Sequence, residues 1–260
     1  MLRVLTLIMY LMNIRYLNKV PYDVIELPSQ GILYPNKKSS VKVEFLTTMD
    51  ENILSSPNII NSGKLVDILL ERKIKDLGFD PLDLLEGDRM AVLIFLRATG
   101  FGESYKQPVI HPKTGKVEEG EINLNELKQK KLVVHPDENG EFDYTLSITE
   151  KKVKFKLLTG RDEVEIDDMN DNLMERNNDE ISQKPLLRLQ KSITEIDGER
   201  DKIKISNIIK NLSIRDSRGL RKYITEIEPG IDLNTTARIH GEVSAPCFLR
   251  FGINFLWPEL

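Results

Sequence analysis

The sequence predicts an α+β fold: a mixed helix/strand core, a mainly helical segment and a C-terminal β-segment. Three observations carry that prediction. Runs with the alternation of half-buried strands recur at residues 41–45, 142–146 and 153–157. Blocks with helical spacing separate them, and residues 161–230 are predominantly helical in pattern. From residue 237 the composition returns to strand formers, with Ile239, Val243, Phe248, Phe251, Ile253 and Phe255. The chain has 260 residues, 40% of them hydrophobic. At about 150 residues per domain, that is one large domain or two modest ones. The expected division is an N-terminal extension (1–20), a mixed core (21–160), the helical segment (161–230) and a β-segment packed on the core (231–260).

Residues 24–35 read Val-Ile-Glu-Leu-Pro-Ser-Gln-Gly-Ile-Leu-Tyr-Pro. Two prolines and a glycine among apolar residues predict an extended segment with turns. The strand at 41–45 (Val-Lys-Val-Glu-Phe) follows. Thr48 and Glu51 have capping-box spacing, which predicts a helix start there with Ile53 and Leu54 turned inward. Ser62 is the expected cap of the next helix, whose Leu65, Ile68, Leu69 and Ile74 fall near one stripe. A third helix is predicted from Asp88 to about Thr99, dominated by Val92, Leu93, Phe95 and Leu96. Gly100-Phe101-Gly102 ends it, because glycine accepts the angles of a C-terminal cap. Residues 108–120 are turn-rich, and 137–140 (Asp-Glu-Asn-Gly) is a strong turn signal. The alternations Phe142, Tyr144, Leu146 and Val153, Phe155, Leu157 predict a hairpin or meander. Pro185 and Pro229-Gly230 punctuate the helical region, and no internal repeat occurs at solenoid periods.

Composition excludes more than it selects. With 37 basic and 41 acidic residues, net charge −4, the chain lacks the overall basic field that phosphate neutralisation needs, so no nucleic-acid partner is expected. Its one cysteine, Cys247, cannot form an intramolecular disulfide. No run of about 18 apolar residues predicts a membrane span. Residues 1–12 (Met-Leu-Arg-Val-Leu-Thr-Leu-Ile-Met-Tyr-Leu-Met) are the apolar exception. They leave three readings: a secretory signal lacking its cleavage site, a membrane-associating peptide, or an extension upstream of a true start at Met12. The last is favoured.

The candidate chemistry is sparse. His111, His135, His240 and Cys247 lack short ligand spacing, so no metal is expected. Cys247 lies in a strand-like run and reads as buried and inert. Residues 100–104 (Gly-Phe-Gly-Glu-Ser) follow a helix and lack the Lys-Ser/Thr ending of a phosphate loop, so a helix cap is expected. Asp168-x-Asn170-x-Asn172 begins like a calcium loop, but Leu173 stands where glycine is needed, and a helix is expected instead. That motif sits in an acidic block, 161–180, with nine Asp or Glu against Arg161 and Arg176. Residues 184–222 invert the sign, with eleven Lys or Arg and five Asp or Glu. Arg215, Arg218, Arg221 and Lys222 fall at helical spacing after Ser213. They read as a solvated face, or as one side of a charge-complementary contact.

Further blocks stand at 43–54 (Val-Glu-Phe-Leu-Thr-Thr-Met-Asp-Glu-Asn-Ile-Leu), 87–102 (Gly-Asp-Arg-Met-Ala-Val-Leu-Ile-Phe-Leu-Arg-Ala-Thr-Gly-Phe-Gly), 157–163 (Leu-Leu-Thr-Gly-Arg-Asp-Glu) and 255–258 (Phe-Leu-Trp-Pro). Together with residues 24–35 and the Leu69-Leu70 helix, they resemble the baseplate hub protein family of T-even-type, contractile-tailed bacteriophages. Their order along the chain carries the weight, and residues 176–236 match less clearly. Two departures stand out. Some relatives carry paired cysteines before the final β-segment, where Cys247 stands alone, so no metal site carries over. The apolar extension also precedes Met12, near which the family pattern begins.

The resemblance implies a structural or assembly component of the baseplate hub, made in the bacterial cytoplasm and located in the virion. It implies contacts with other baseplate or tail proteins, and no catalysis, cofactor or small-molecule substrate. A tail or hub assembly chaperone absent from the mature virion shares every feature above. A hub-associated cell-wall hydrolase would need positioned carboxylates; Glu103 and Glu119 are available, with no reason to choose them as a pair. The candidate partner-binding residues are Trp257 and Phe255 in the tail and Arg215, Arg218, Arg221 and Lys222 on the basic face, with the acidic block 161–180 a further candidate contact surface; aromatic anchors such as Trp257 often dominate interface energy. Burial against the chain's own sheet is the competing reading of Trp257.

Overall fold

The computed structural model describes residues 20–177, 181–251 and 253–256. The apolar N-terminal segment, on which the expected start at Met12 falls, and Trp257 lie outside the described residues. The fold is α+β, with helices and small antiparallel sheets sharing one main core.

β1 (Tyr22–Glu26) runs antiparallel to β2 (Ser40–Glu44), and the proline-containing segment between them forms turns, as its composition predicts. β2 turns Val41 and Val43 into the core. α1 (Thr48–Leu54) begins where expected, but its cap lies one residue earlier. Asp50 accepts hydrogen bonds from the Thr47 N–H (2.8 Å) and hydroxyl (2.7 Å). Ser62, expected to start a helix, instead closes α2 (Pro57–Asn61), its N–H donating to the Asn58 carbonyl at 3.1 Å. Pro57 opens that short helix, a position where its missing N–H costs nothing. α3 (Leu65–Lys73) buries Leu65, Leu69 and Leu70. Ile74 leaves the predicted helical stripe, because its extended backbone begins β3 (Ile74–Lys75), which pairs with β2. The buried Lys73 ammonium pairs with Asp50 and donates to the Phe45 carbonyl at 2.9 Å, tying α3 to α1.

α4 (Glu86–Phe101) is buried along Val92 and Leu96 and ends at Gly102, whose φ of 88° is the expected glycine cap. Gly87 is fixed by packing: a Cβ there would stand 1.8 Å from the Pro229 carbonyl oxygen. Residues 108–120 hold the expected turn, at 112–114, but on either side of it they are strand: β4 (Ser104–Ile110) and β5 (Val117–Asn123) form a hairpin with Ser104 opposite Asn123. After the short β6 (Gln129–Lys130), the predicted turn has Asp137 Oδ1 accepting from the N–H groups of Asn139 (2.9 Å) and Glu141 (3.0 Å). β7 (Phe142–Thr145) and β8 (Lys152–Phe155) then form the predicted antiparallel pair, Phe142 opposite Phe155.

α5 (Gly160–Asn177) runs unbroken through the half-matched calcium motif, as the missing glycine predicts. α6 (Lys184–Ser192) leads into β9 (Ile193–Ile196), a strand the helical pattern did not predict, which pairs with β8. α7 (Lys202–Lys210) and α8 (Ile214–Ile227) follow, the latter capped by Ser213, whose hydroxyl accepts from the Asp216 N–H at 3.0 Å. β10 (Gly230–Ile231) pairs with β6. β11 (Asn234–Ile239) and β12 (Val243–Phe248) extend the hairpin into a sheet ordered β12-β11-β5-β4. Beyond Phe248 the β-like composition misleads: Phe251 lies in a loop and Phe255 in α9 (Ile253–Leu256). No helix among the described residues is long and apolar enough to cross a membrane.

Candidate interaction surface

Two segments of the resemblance meet inside the molecule. Asp88, in the first turn of α4, is fully buried. Its Oδ1 accepts from the Ser29 N–H at 2.9 Å, and its Oδ2 accepts from the Ser29 hydroxyl at 2.5 Å and from the Tyr34 hydroxyl. Tyr34 Oη in turn accepts from the Leu85 N–H at 2.9 Å, a donor at the helix start that the helix itself leaves unpaired. Burial pushes the Asp88 carboxyl above its ordinary range, against the pull of the Ser29 and Tyr34 donors. Burial and the Asp88 carboxylate push Tyr34 up as well. This knot positions α4 and presents no surface.

Residues 157–163 pack on the same helix at Gly160 and are held by bonds to its surroundings. Asp162 accepts from the Thr159 N–H at 3.1 Å and from Lys156 Nζ at 2.9 and 2.8 Å. Burial opposes the Asp162 charge, but those donors outweigh it and hold the carboxyl below its ordinary range. Arg161 pairs with Asp80 (2.6 Å) and Asp83 (2.7 Å). Gly160 lies against Arg89, where a Cβ would stand 2.3 Å from Nη1.

The next residue but two, Glu163, belongs to an ionisable cluster that sequence reasoning missed. Arg188 donates to Glu163 Oε2 at 2.6 Å, Arg89 pairs with Asp67 (2.5 Å) and Glu86 (3.3 Å), and Lys184 pairs with Asp167 (2.8 Å). Burial pushes Glu163 up to about 7; Arg188 opposes this, while the Glu86, Asp167 and Glu228 carboxylates add to it. Burial raises Glu86 and Glu228 too. Among the described residues, buried Glu163 Oε1 and Arg89 Nη1 have no hydrogen-bond partner. Glu163 lines an apolar cleft of about 410 Å³ with Leu65, Met90, Leu93 and Phe255. Arg188 lines a second, of about 530 Å³, with Lys184, Pro185, Leu189, Arg221 and Ile224. No local spacing announces this cluster, because Glu86, Glu163 and Glu228 come from separate elements.

The expected partner-binding residues divide. Arg215, Arg218 and Lys222 are exposed on α8, and Arg221 is half-buried beside the second cleft. The four fall within an arc of about 120° at 100° per residue, opposite the buried Asp216, Leu220 and Ile227. Phe255 is a correction. Its ring is buried, edge-on to Tyr105 (5.1 Å between centroids) and Phe251 (4.5 Å), so it packs the core and has little area to give a partner. Trp257 lies outside the described residues.

Other candidates are dispersed. Glu103 and Glu119 are exposed on the β4–β5 hairpin side, the first accepting from Asn125 (2.6 Å) and the second paired with Lys106 (2.9 Å). His111 Nδ1 accepts from the Lys113 and Thr114 N–H groups in the hairpin turn (3.1 and 3.2 Å). His240 lies 3.4 Å from Glu118. Cys247 is half-buried, and burial pushes its thiol up, away from thiolate reactivity. Compared with protein-family models, curated proteins and solved structures, the chain has no significant match.

Proposed function

We propose that this chain is a structural or assembly component of a contractile-tail baseplate hub, acting through protein-protein contacts. One observation carries the reading. Separate segments of the resemblance meet in the fold: Ser29 and Tyr34 of 24–35 hydrogen-bond Asp88 of 87–102, and Gly160 of 157–163 packs closely on Arg89 of the same helix. The contact surface is the basic face of α8 with the cleft beside it, lined in part by Pro185, Leu189 and Ile224. That combination suits a partner with acidic and apolar groups, where charge selects and apolar burial holds. Mass spectrometry of contractile tails purified from the encoding phage tests the reading. The expected result is this chain in mature particles at a fixed stoichiometry. Its presence in assembly intermediates alone would make it a chaperone, and absence from both would reject the hub role.

A further inference from the structure

We propose that the basic face of α8 docks on the acidic face of α5 in a second copy of this chain, giving head-to-tail assembly. The inference rests on α8 being a contact surface and names its partner. On α5, Asp168, Asp171 and Glu175 are exposed and, among the described residues, form no ion pair. On α8, Arg215 and Arg218 are exposed and likewise form none among the described residues, while Lys222 reaches only Glu226 of its own helix, at 3.6 Å. Both triplets are spaced three residues and then four. Each is therefore a stripe about 60° wide and about 10.5 Å long, at 100° and 1.5 Å per residue. Two stripes of opposite sign with the same repeat can align side chain to side chain. Each has an exposed aliphatic neighbour, Val164 (37% exposed) on α5 and Ile214 (75%) on α8.

The fold keeps the two stripes apart within one chain. α6 covers the other side of α5, held by the Arg188–Glu163 and Lys191–Glu165 pairs over buried Ile166 and Leu187. Leu220 and Ile227 turn the far side of α8 into the core. A contact between the stripes therefore takes two chains. Because the surfaces differ, each contact leaves one stripe open at either end, and the assembly closes as a ring or grows as a filament. Like charges disfavour pairing either stripe with itself. Exposed ion pairs set orientation and encounter rate more than affinity. The cleft beside Arg221, with Pro185, Leu189 and Ile224, supplies the apolar seat they lack.

Sedimentation analysis of the full chain tests this with two neutralised double variants, Asp168→Asn with Asp171→Asn, and Arg215→Gln with Arg218→Gln. All four positions are exposed, and a thermal melt unchanged from wild type in about 1 M salt, where wild type is monomeric too, checks that both variants fold. The wild-type chain should assemble beyond a dimer at roughly 100 µM, a concentration that reveals micromolar contacts. It should form in about 0.05 M salt and dissociate in about 1 M salt, where the screening length falls to about 3 Å. Each variant alone should be monomeric. Their equimolar mixture should stop at a dimer, since only one intact acidic and one intact basic stripe remain per pair. A monomeric wild type, variants that assemble like it, or a mixture that stays monomeric would overturn the contact. The hub reading would then stand or fall separately, on purified tails.

Discussion

The surroundings of Asp88 and of Glu163 use similar chemistry to opposite ends. Each is an acidic residue in the first turn of a helix, and burial raises each carboxyl. Around Asp88 both carboxylate oxygens are met by donors from residues 29 and 34, and Tyr34 also satisfies the backbone of Leu85. Around Glu163 only Oε2 is met, by Arg188, and a cleft opens on either side of the pair. A fully satisfied buried network specifies one structure, whereas a partly satisfied one leaves charge that responds to its surroundings. The first is frame. The second is where pH and partners can act.

The largest effect should come from removing the centre of the frame. Asp88→Ala leaves the Ser29 N–H, the Ser29 hydroxyl and the Tyr34 hydroxyl buried without their acceptor. At about 1–3 kcal/mol for each unsatisfied buried group, with partial relaxation, the expected loss is about 3–5 kcal/mol in urea unfolding. Tyr34→Phe is milder, because Asp88 keeps both Ser29 donors and only the Leu85 N–H is orphaned; about 1–3 kcal/mol is expected. If Tyr34→Phe cost as much as Asp88→Ala, Tyr34 rather than Asp88 would be the centre of the knot. An Asp88→Ala cost under about 1 kcal/mol would remove the contrast with Glu163 altogether.

Much of the frame was legible in local pattern, and little of the site was. α4, β2 and the β7–β8 pair follow from apolar periodicity, and Gly102 from its cap chemistry, because those signals lie within a few residues. The β4–β5 hairpin was hidden by its own packing. At the inward position 120 stands Gly120, where a Cβ would meet Val109 and Ala237 side chains at 2.6 and 2.8 Å, so the alternation lacks its apolar mark. Pro108 deepened the disguise; it is tolerated because β4 is the edge of its sheet. β9, Ile193–Ile196, is too short to show a period against its helical neighbours. Thr47 and Thr48 offer the same capping spacing, to Asp50 and Glu51 respectively, and only geometry chooses between them. The Asp88 and Glu163 networks join residues tens of positions apart, which no window of sequence reports. The basic face of α8 was visible because helical spacing alone makes a face.

The smallest effect is also the sharpest test of the contrast. The folded-state pKa of Glu163, about 7, lies above its ordinary 4.5. Between those values the folded chain holds more protons than the unfolded one, so this residue's contribution to stability falls as pH rises through that window and stays low above it. Below the ordinary value both states are protonated and the effect vanishes. Glu163→Gln removes the burdened charge while keeping an oxygen that can accept from Arg188, whose half-exposed side chain remains hydrated. Melting curves should therefore match wild type near pH 4 and show the variant about 2–4 °C more stable near pH 8. Glu86 and Glu228 are raised in the same direction, so a shallower slope should persist in the variant. If Glu163→Gln instead melts lower near pH 8, attraction to Arg188 outweighs the burial of Glu163. The pair would then be frame in the same sense as Asp88, and the partition between the two clefts would be fixed rather than responsive.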